Sequence, residues 1–202
     1  MMGESHMIFG AAATATGLVT LGYTPNNVGV GHFALAVGLG ALVALLPDID
    51  SPNTKVRQIF GVGSRQASRR LKRWYRTDIF TNLLNLIRYA ISRVLDLLAW
   101  LLPHRGPTHW LIVAATLTYA FYWFSRQYGW PLLWWRAFAI GYGSHLFADG
   151  LTSSGVKLFA PFYKKSVGLP IRFLRVRTGS WEEGTALAML LLACMGWLVW
   201  WV

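Results

Sequence analysis

The sequence predicts an all-α integral membrane protein, with about five transmembrane helices and one amphipathic helix lying in the membrane interface. Three observations predict it. Hydrophobic residues make up 54% of the 202-residue chain and charged residues only 13%, against roughly 25% charged in soluble domains. The apolar residues fall in runs close to the roughly 20 residues needed to cross a bilayer. Eleven tryptophans accompany them, and Trp gathers at membrane–water interfaces.

The first expected span, about 7–23, is rich in Ala, Gly and Thr, small residues that let helices approach closely. It is preceded by MMGESHMIFG, which lacks the basic residues that open a secretory signal, so it is expected to be retained. The second span, about 28–47, is uncharged up to its end and contains His32. The third covers about 109–124, the fourth about 130–149 and the fifth about 185–202. Arg136, near the start of the fourth, can snorkel to the interface. Cys194 lies in the fifth and is the one cysteine, so an intrachain disulfide is excluded.

Residues 78–102 follow a different pattern. Phe80, Leu83, Leu84, Ile87, Ile91, Val94, Leu95 and Leu98 share one side of a helix, with Asn82, Asn85, Arg88, Ser92, Arg93 and Asp96 mostly on the other. Such a helix is expected to lie in the interface. The chain then reads as a single domain, 1–202, carrying a basic and amphipathic insertion at about 55–102.

The formal net charge of +11 resides largely in two loops. Positions 55–76 hold eight Lys/Arg and positions 157–177 hold six, with no acid in either stretch. Nucleic acid is not the expected partner, because basic loops between spans mark the cytoplasmic face and meet anionic lipid there. The connectors YTPNN and SRQYGW are short and nearly uncharged, which suits the opposite face. The expected topology is N-terminus in, five spans, C-terminus out.

Under that topology the scarce acids and histidines converge. His6, Asp48, Asp50, His104, His109, His145, Asp149 and Glu183 all fall at cytoplasmic helix ends. Ionisable groups at a membrane are costly and usually functional. His145 and Asp149 are four apart and share a helix face. In HRGPTH, two histidines flank a turn, with Thr108 as the expected N-cap of the third span. The carboxylates of PDID would repel unless a cation neutralised them; one can ligate while the other orients a histidine. His32 lies about 24 Å of helix from Asp48 and is expected to pack, not ligate. Imidazole and carboxylate donors in this number suit two or three divalent ions, zinc foremost. No Gly-rich phosphate loop, G-x-S-x-G elbow or H-E-x-x-H helix is present in the sequence.

The segments ESH, LLPDIDSP, HRGPTH, GYGSHLFADGLTSSGVKLFAPF and GSWEEG occur here in that order. In this the chain resembles the LexA-regulated, membrane-bound metal-dependent hydrolases, the YdjM-like family, over nearly its whole length. The resemblance implies an inner-membrane, metal-dependent hydrolase whose metal ligands fall on His6, Asp48, His104, His109, His145, Asp149 and Glu183. The pattern of His and acids at helix ends is also similar to zinc phospholipase C and related nucleases. The long insertion at 55–102 departs from shorter members of the family.

The expected reaction is cleavage of an ester, most plausibly a phosphoester of a lipid or lipid-linked substrate, by metal-activated water. Asp50 and Arg105 are the expected catalytic side chains, and Arg105, Thr152 and Lys157 are expected to hold an anionic headgroup. Two other classes compete. A metal-ion transporter needs ligands along a path through the bilayer, and a non-catalytic membrane tether with a basic cytoplasmic loop leaves the metal residues unexplained. Oligomeric state is not readable from the sequence.

Overall fold

A computed structural model describes residues 3–50, 79–101, 106–168 and 175–201. Helix α1 (Gly3–Thr20) leads through a turn and the short α2 (Pro25–Val28) to α3 (Val30–Val43), which runs on into a 3-10 turn, Leu46–Asp50. After α4 (Ile79–Leu101), a second 3-10 turn, Pro107–His109, precedes α5 (Leu111–Gln127), α6 (Leu132–Gly150) and α7 (Trp181–Trp201). Among the described residues the secondary structure is helical, apart from two isolated bridges, Thr152 with Val176 and Val156 with Val167.

The chain divides into two compact units, Met1–Pro47 with Pro107–Val202, and Asp48–Gly106. In the first, α1, α3 and α6 pack on one another, α7 lies along α1, and α5 along α6. Small residues allow this. A side chain on Gly10 would strike the Ala44 methyl at 2.5 Å, and one on Gly141 would strike the backbone of Gly40. Where Gly40 has no side chain, the Thr14 hydroxyl fills the space. Ala36, Ala44, Ala137 and Ala148 are all fully buried.

The distribution of polarity is inverted relative to a soluble protein. His6, Thr14, His109, Ser125, His145, Asp149, Thr152 and Glu183 are buried, whereas Leu35, Leu42, Leu117, Trp123, Met189, Leu192 and Val199 are exposed. Exposed apolar area on this scale marks a surface that does not face water. Among the described residues, Trp181–Trp200 is the one helix long and apolar enough to cross a bilayer unaided. The second expected span is shorter than its apolar run: α3 begins only after Gly29, held at φ +84°, and stops at Val43. Its length is about 21 Å, against a hydrocarbon core of roughly 30 Å.

In the second unit, α4 matches the amphipathic helix expected over 78–102. Leu83, Leu84 and Ile87 of its apolar stripe are exposed. On its polar side, Arg93 Nε donates to the Tyr89 hydroxyl at 3.0 Å and the guanidinium lies 5.0 Å from that ring's centre. Positions 55–76 of the basic insertion, together with His104 and Arg105, lie outside the described residues, as does the side chain of Asp50.

Candidate metal centre

Helix direction brings the chemistry to one end of the first unit. Within it α1, α5 and α7 begin at this end, and α3 and α6 finish there. The glycine contacts then set the level of each element. His6 is one turn before Gly10, Ala44 is one turn after Gly40, and His145 is one turn after Gly141. Close approach of three backbones thus carries His6, the Ala44 carbonyl and His145 into register.

Asp149 is the hub. Its Oδ1 lies 3.2 Å from His6 Nε2, while its Oδ2 lies 3.4 Å from His109 Nε2 and 3.8 Å from His145 Nε2. The Nε2 atoms of His109 and His145 are 3.2 Å apart. His6 and His145 stack with ring centres 3.9 Å apart. All four side chains are at least 97% buried. His145 and Asp149 share a face of α6, as their spacing predicts, and His109 enters from the turn before α5.

The partners behind these groups orient them. His145 Nδ1 donates to the Ala44 carbonyl at 2.7 Å, which leaves the Nε2 lone pair directed at His109 and Asp149. His109 Nδ1 is 3.1 Å from the Thr108 hydroxyl, and the Thr108 carbonyl accepts a 2.5 Å hydrogen bond from Tyr142 on α6. Thr108 is therefore not the N-cap of α5. Trp110 occupies that position, because Pro107–His109 closes a 3-10 turn first. The Leu111 amide instead donates to the Leu158 carbonyl at 2.8 Å, tying the start of α5 to the loop after α6.

The donor set fits a divalent ion on two observations. His6 Nδ1 is buried with no hydrogen-bond partner among the described residues, and His6 Nε2 faces only Asp149 Oδ1, at 3.2 Å. A buried nitrogen left so would cost roughly 1–3 kcal/mol. The separations of 3.2, 3.4 and 3.8 Å among His109 Nε2, His145 Nε2 and Asp149 Oδ2 are also close to the roughly 3.3 Å edges of a tetrahedron with ligands at 2.0–2.1 Å. Donor atoms of these three residues form one potential metal-holding group.

The other expected residues among those described are each placed by their own elements. Glu183 is buried in the first turn of α7 and its Oε2 accepts from the Gly179 amide at 2.7 Å. It lies one turn before Ala186, which packs with Phe9 and Ala148. Asp48 is half-buried in the turn Leu46–Asp50, four residues past Ala44. Lys157 is exposed in the loop after α6. Thr152 is fully buried, and its hydroxyl donates to the Asp149 carbonyl at 2.7 Å, supporting the end of α6. His32 is exposed near the start of α3, edge-on to Trp134 at 6.4 Å and about 18 Å of helix from Ala44.

Two contributors had no distinctive sequence signal: the Ala44 carbonyl, a backbone atom, and the Thr108 hydroxyl in its role toward His109. Tyr142 had a weak one, a polar-tipped aromatic one turn before His145. No curated protein and no solved structure matches this chain. The model of the YdjM inner membrane protein family matches residues 1–202, and the chain belongs to that family.

Proposed function

We propose that this protein is a multi-pass inner-membrane hydrolase. It uses two or three divalent ions, zinc foremost, to cleave an ester or phosphoester of a lipid or lipid-linked substrate. The observation that carries the reading is the buried convergence of His6, His109, His145 and Asp149 at one end of a bundle whose outer face is apolar. A polar interior at the depth of the helix ends suits a substrate that stays in the membrane.

Helices α1, α3, α5, α6 and α7 are the proposed spans. Four of them are too short or too polar to cross alone, and they do so as a bundle because their polar side chains face inward. The basic stretches at 55–76 and 157–177 support a cytoplasmic side for the site. More than one ion is favoured because the two oxygens of Asp149 face different histidines, as a bridging carboxylate requires. His109, His145 and Asp149 Oδ2 would hold one ion, and His6 with Asp149 Oδ1 would hold another. Asp48, His104 and Glu183 are assigned as further ligands by the sequence pattern.

Such ions, when bound, lower the pKa of a coordinated water and polarise an ester or phosphoryl oxygen. The chain's own groups do the rest. Asp50 is proposed to orient a site histidine or accept a proton, and Arg105 to stabilise negative charge developing on the substrate. Lys157 is proposed to meet an anionic headgroup. Metal analysis of detergent-purified protein, followed by hydrolysis assays on a panel of phospholipids, tests the reading. Bound zinc with lipid cleavage supports it. Metal flux into proteoliposomes without cleavage replaces hydrolysis by transport, and absence of bound metal removes both.

A further inference from the structure

A groove of about 760 Å³ runs between α5 and α6, within the roughly 300–1,000 Å³ usual for ligand sites. Its floor is made of small residues, Ala114, Ala115, Ala139 and Gly143, and its walls include Tyr119 and Trp135. It extends along α6 from Leu132 to Leu146, about 21 Å at 1.5 Å per residue. That exceeds one leaflet of a bilayer, roughly half of a 30 Å core. At the metal-site end it continues into a second cavity of about 380 Å³ that shares Leu111, Gly143 and Leu146 and is closed by Leu158, Val167 and Gly168.

Two features make this more than an uncovered apolar face. No metal-centre side chain lines the groove, but its upper end is made by their chain neighbours: Leu111 is two residues past His109, Leu146 follows His145, and Tyr142 in its wall bonds to Thr108. The loop that closes its upper end is basic, with Lys157, Lys164 and Lys165 exposed and no acid from 151 to 168. An occupant must therefore be long and apolar below and anionic above.

We infer that this groove seats one acyl chain of an anionic phospholipid, with its phosphate under the 151–168 loop beside the metal centre. The inference rests on the lipid-substrate side of the hydrolase reading and names the substrate class. A straight chain lies along the small-residue floor, and the lysines neutralise the phosphate. Selectivity for anionic over zwitterionic lipid comes from the loop, and selectivity for long over short chains comes from the groove.

The test exploits an open position. A Cβ added at Gly143 meets nothing within 4 Å, so Gly143→Leu starts in open space and projects into the groove, and it replaces a poor helix former by a good one. Binding of a non-cleavable phosphonate analogue of phosphatidylglycerol to the full-length protein in detergent is measured by native mass spectrometry. Phosphatidylcholine and glycerol phosphate serve as comparisons. The wild type should retain one copy of the long-chain anionic lipid, about tenfold more tightly than either comparison. Gly143→Leu should lose at least tenfold with metal content unchanged, and Lys157→Gln should erase the preference over phosphatidylcholine. Equal retention by Gly143→Leu with metal intact would overturn the groove, as would equal binding of phosphatidylcholine by the wild type. Tight, groove-dependent binding of phosphatidylglycerol without turnover of the cleavable lipid leaves the groove standing and removes the hydrolase reading alone.

Discussion

His145 donates through Nδ1 to the carbonyl of Ala44 at 2.7 Å, and this one bond decides what the other side of the ring can do. With the proton held at Nδ1, Nε2 of the neutral ring presents a lone pair to His109 and Asp149. The backbone at the end of α3 thus fixes the tautomer of a residue on α6. A metal-ligating histidine almost always has such a partner on its second nitrogen.

Removing the ligands should therefore remove the metal. Asp149→Ala takes away the carboxylate that both His6 and His109 face, and His145→Ala takes away a donor without changing helix α6. Each is expected to lower bound metal by more than the 10–100-fold that loss of an orienting partner costs. His32→Ala, near the far end of α3, should leave metal content unchanged. Elemental analysis of the three purified variants checks this; metal retained in Asp149→Ala would refute the assignment of the hub.

Glycine contacts that touch no ligand should matter as well. At Gly141→Ala the new methyl meets the backbone of Gly40, and backbone cannot yield as a flexible side chain can. Overpacking of this kind costs about 1–3 kcal/mol. Here it also pushes α6 away from α3, lengthening the His145–Ala44 bond. Thermal unfolding in detergent and metal content should both fall. Gly143→Ala, on the open side of the same helix, should lower neither.

Tyr142→Phe deletes one hydroxyl from a chain of contacts: Tyr142 to the Thr108 carbonyl, and Thr108 Oγ1 to His109 Nδ1. The lost bond is worth about 1 kcal/mol. The expected outcome is intact folding with metal affinity lowered about tenfold, read from competition with a chelator. An unchanged affinity would mean that the turn before α5 holds His109 without help from α6.

Much of this arrangement was legible before any coordinates. His145 and Asp149 announced a common helix face by their spacing, and the structure brings both, with His6 and His109, into one cluster. The remainder depends on pairings that no local pattern encodes. The chain has 20 glycines, and nothing local says that Gly40 meets Gly141 or that Gly10 meets Ala44. The Ala44 carbonyl belongs to a residue with no chemistry of its own. Thr108 precedes the third apolar run as a helix cap does, yet Pro107–His109 closes a 3-10 turn and the cap moves to Trp110. Thr152 is a polar residue just past a helix in a basic loop, which reads as surface. Its burial follows from the bridge to Val176, whose amide bonds to the Leu151 carbonyl.

Topology can be tested apart from chemistry. Cysteines at Ser64 and Ser166, in a Cys194→Ala background, should both resist an impermeant thiol reagent applied from outside the cell and both react after lysis. Labelling of just one of the two would mean that α4 crosses the membrane. The histidines of HRGPTH would then be separated from the loop of Ser64 by a span.

Arg105 distinguishes holding the metal from using it. A guanidinium between two site histidines in sequence has no lone pair to offer an ion, so Arg105→Ala should retain metal at the wild-type level. If the substrate is anionic and gains charge at the transition state, the same change should lower kcat by about 100-fold or more, as removal of one such donor does elsewhere. The lysine variant keeps the charge but loses the planar fork, so Arg105→Lys should recover part of that loss. Metal analysis and lipid turnover on the same preparations give both readouts. Loss of metal in Arg105→Ala would reassign the residue to the fold of the turn, whereas full turnover with metal retained would exclude it from the reaction.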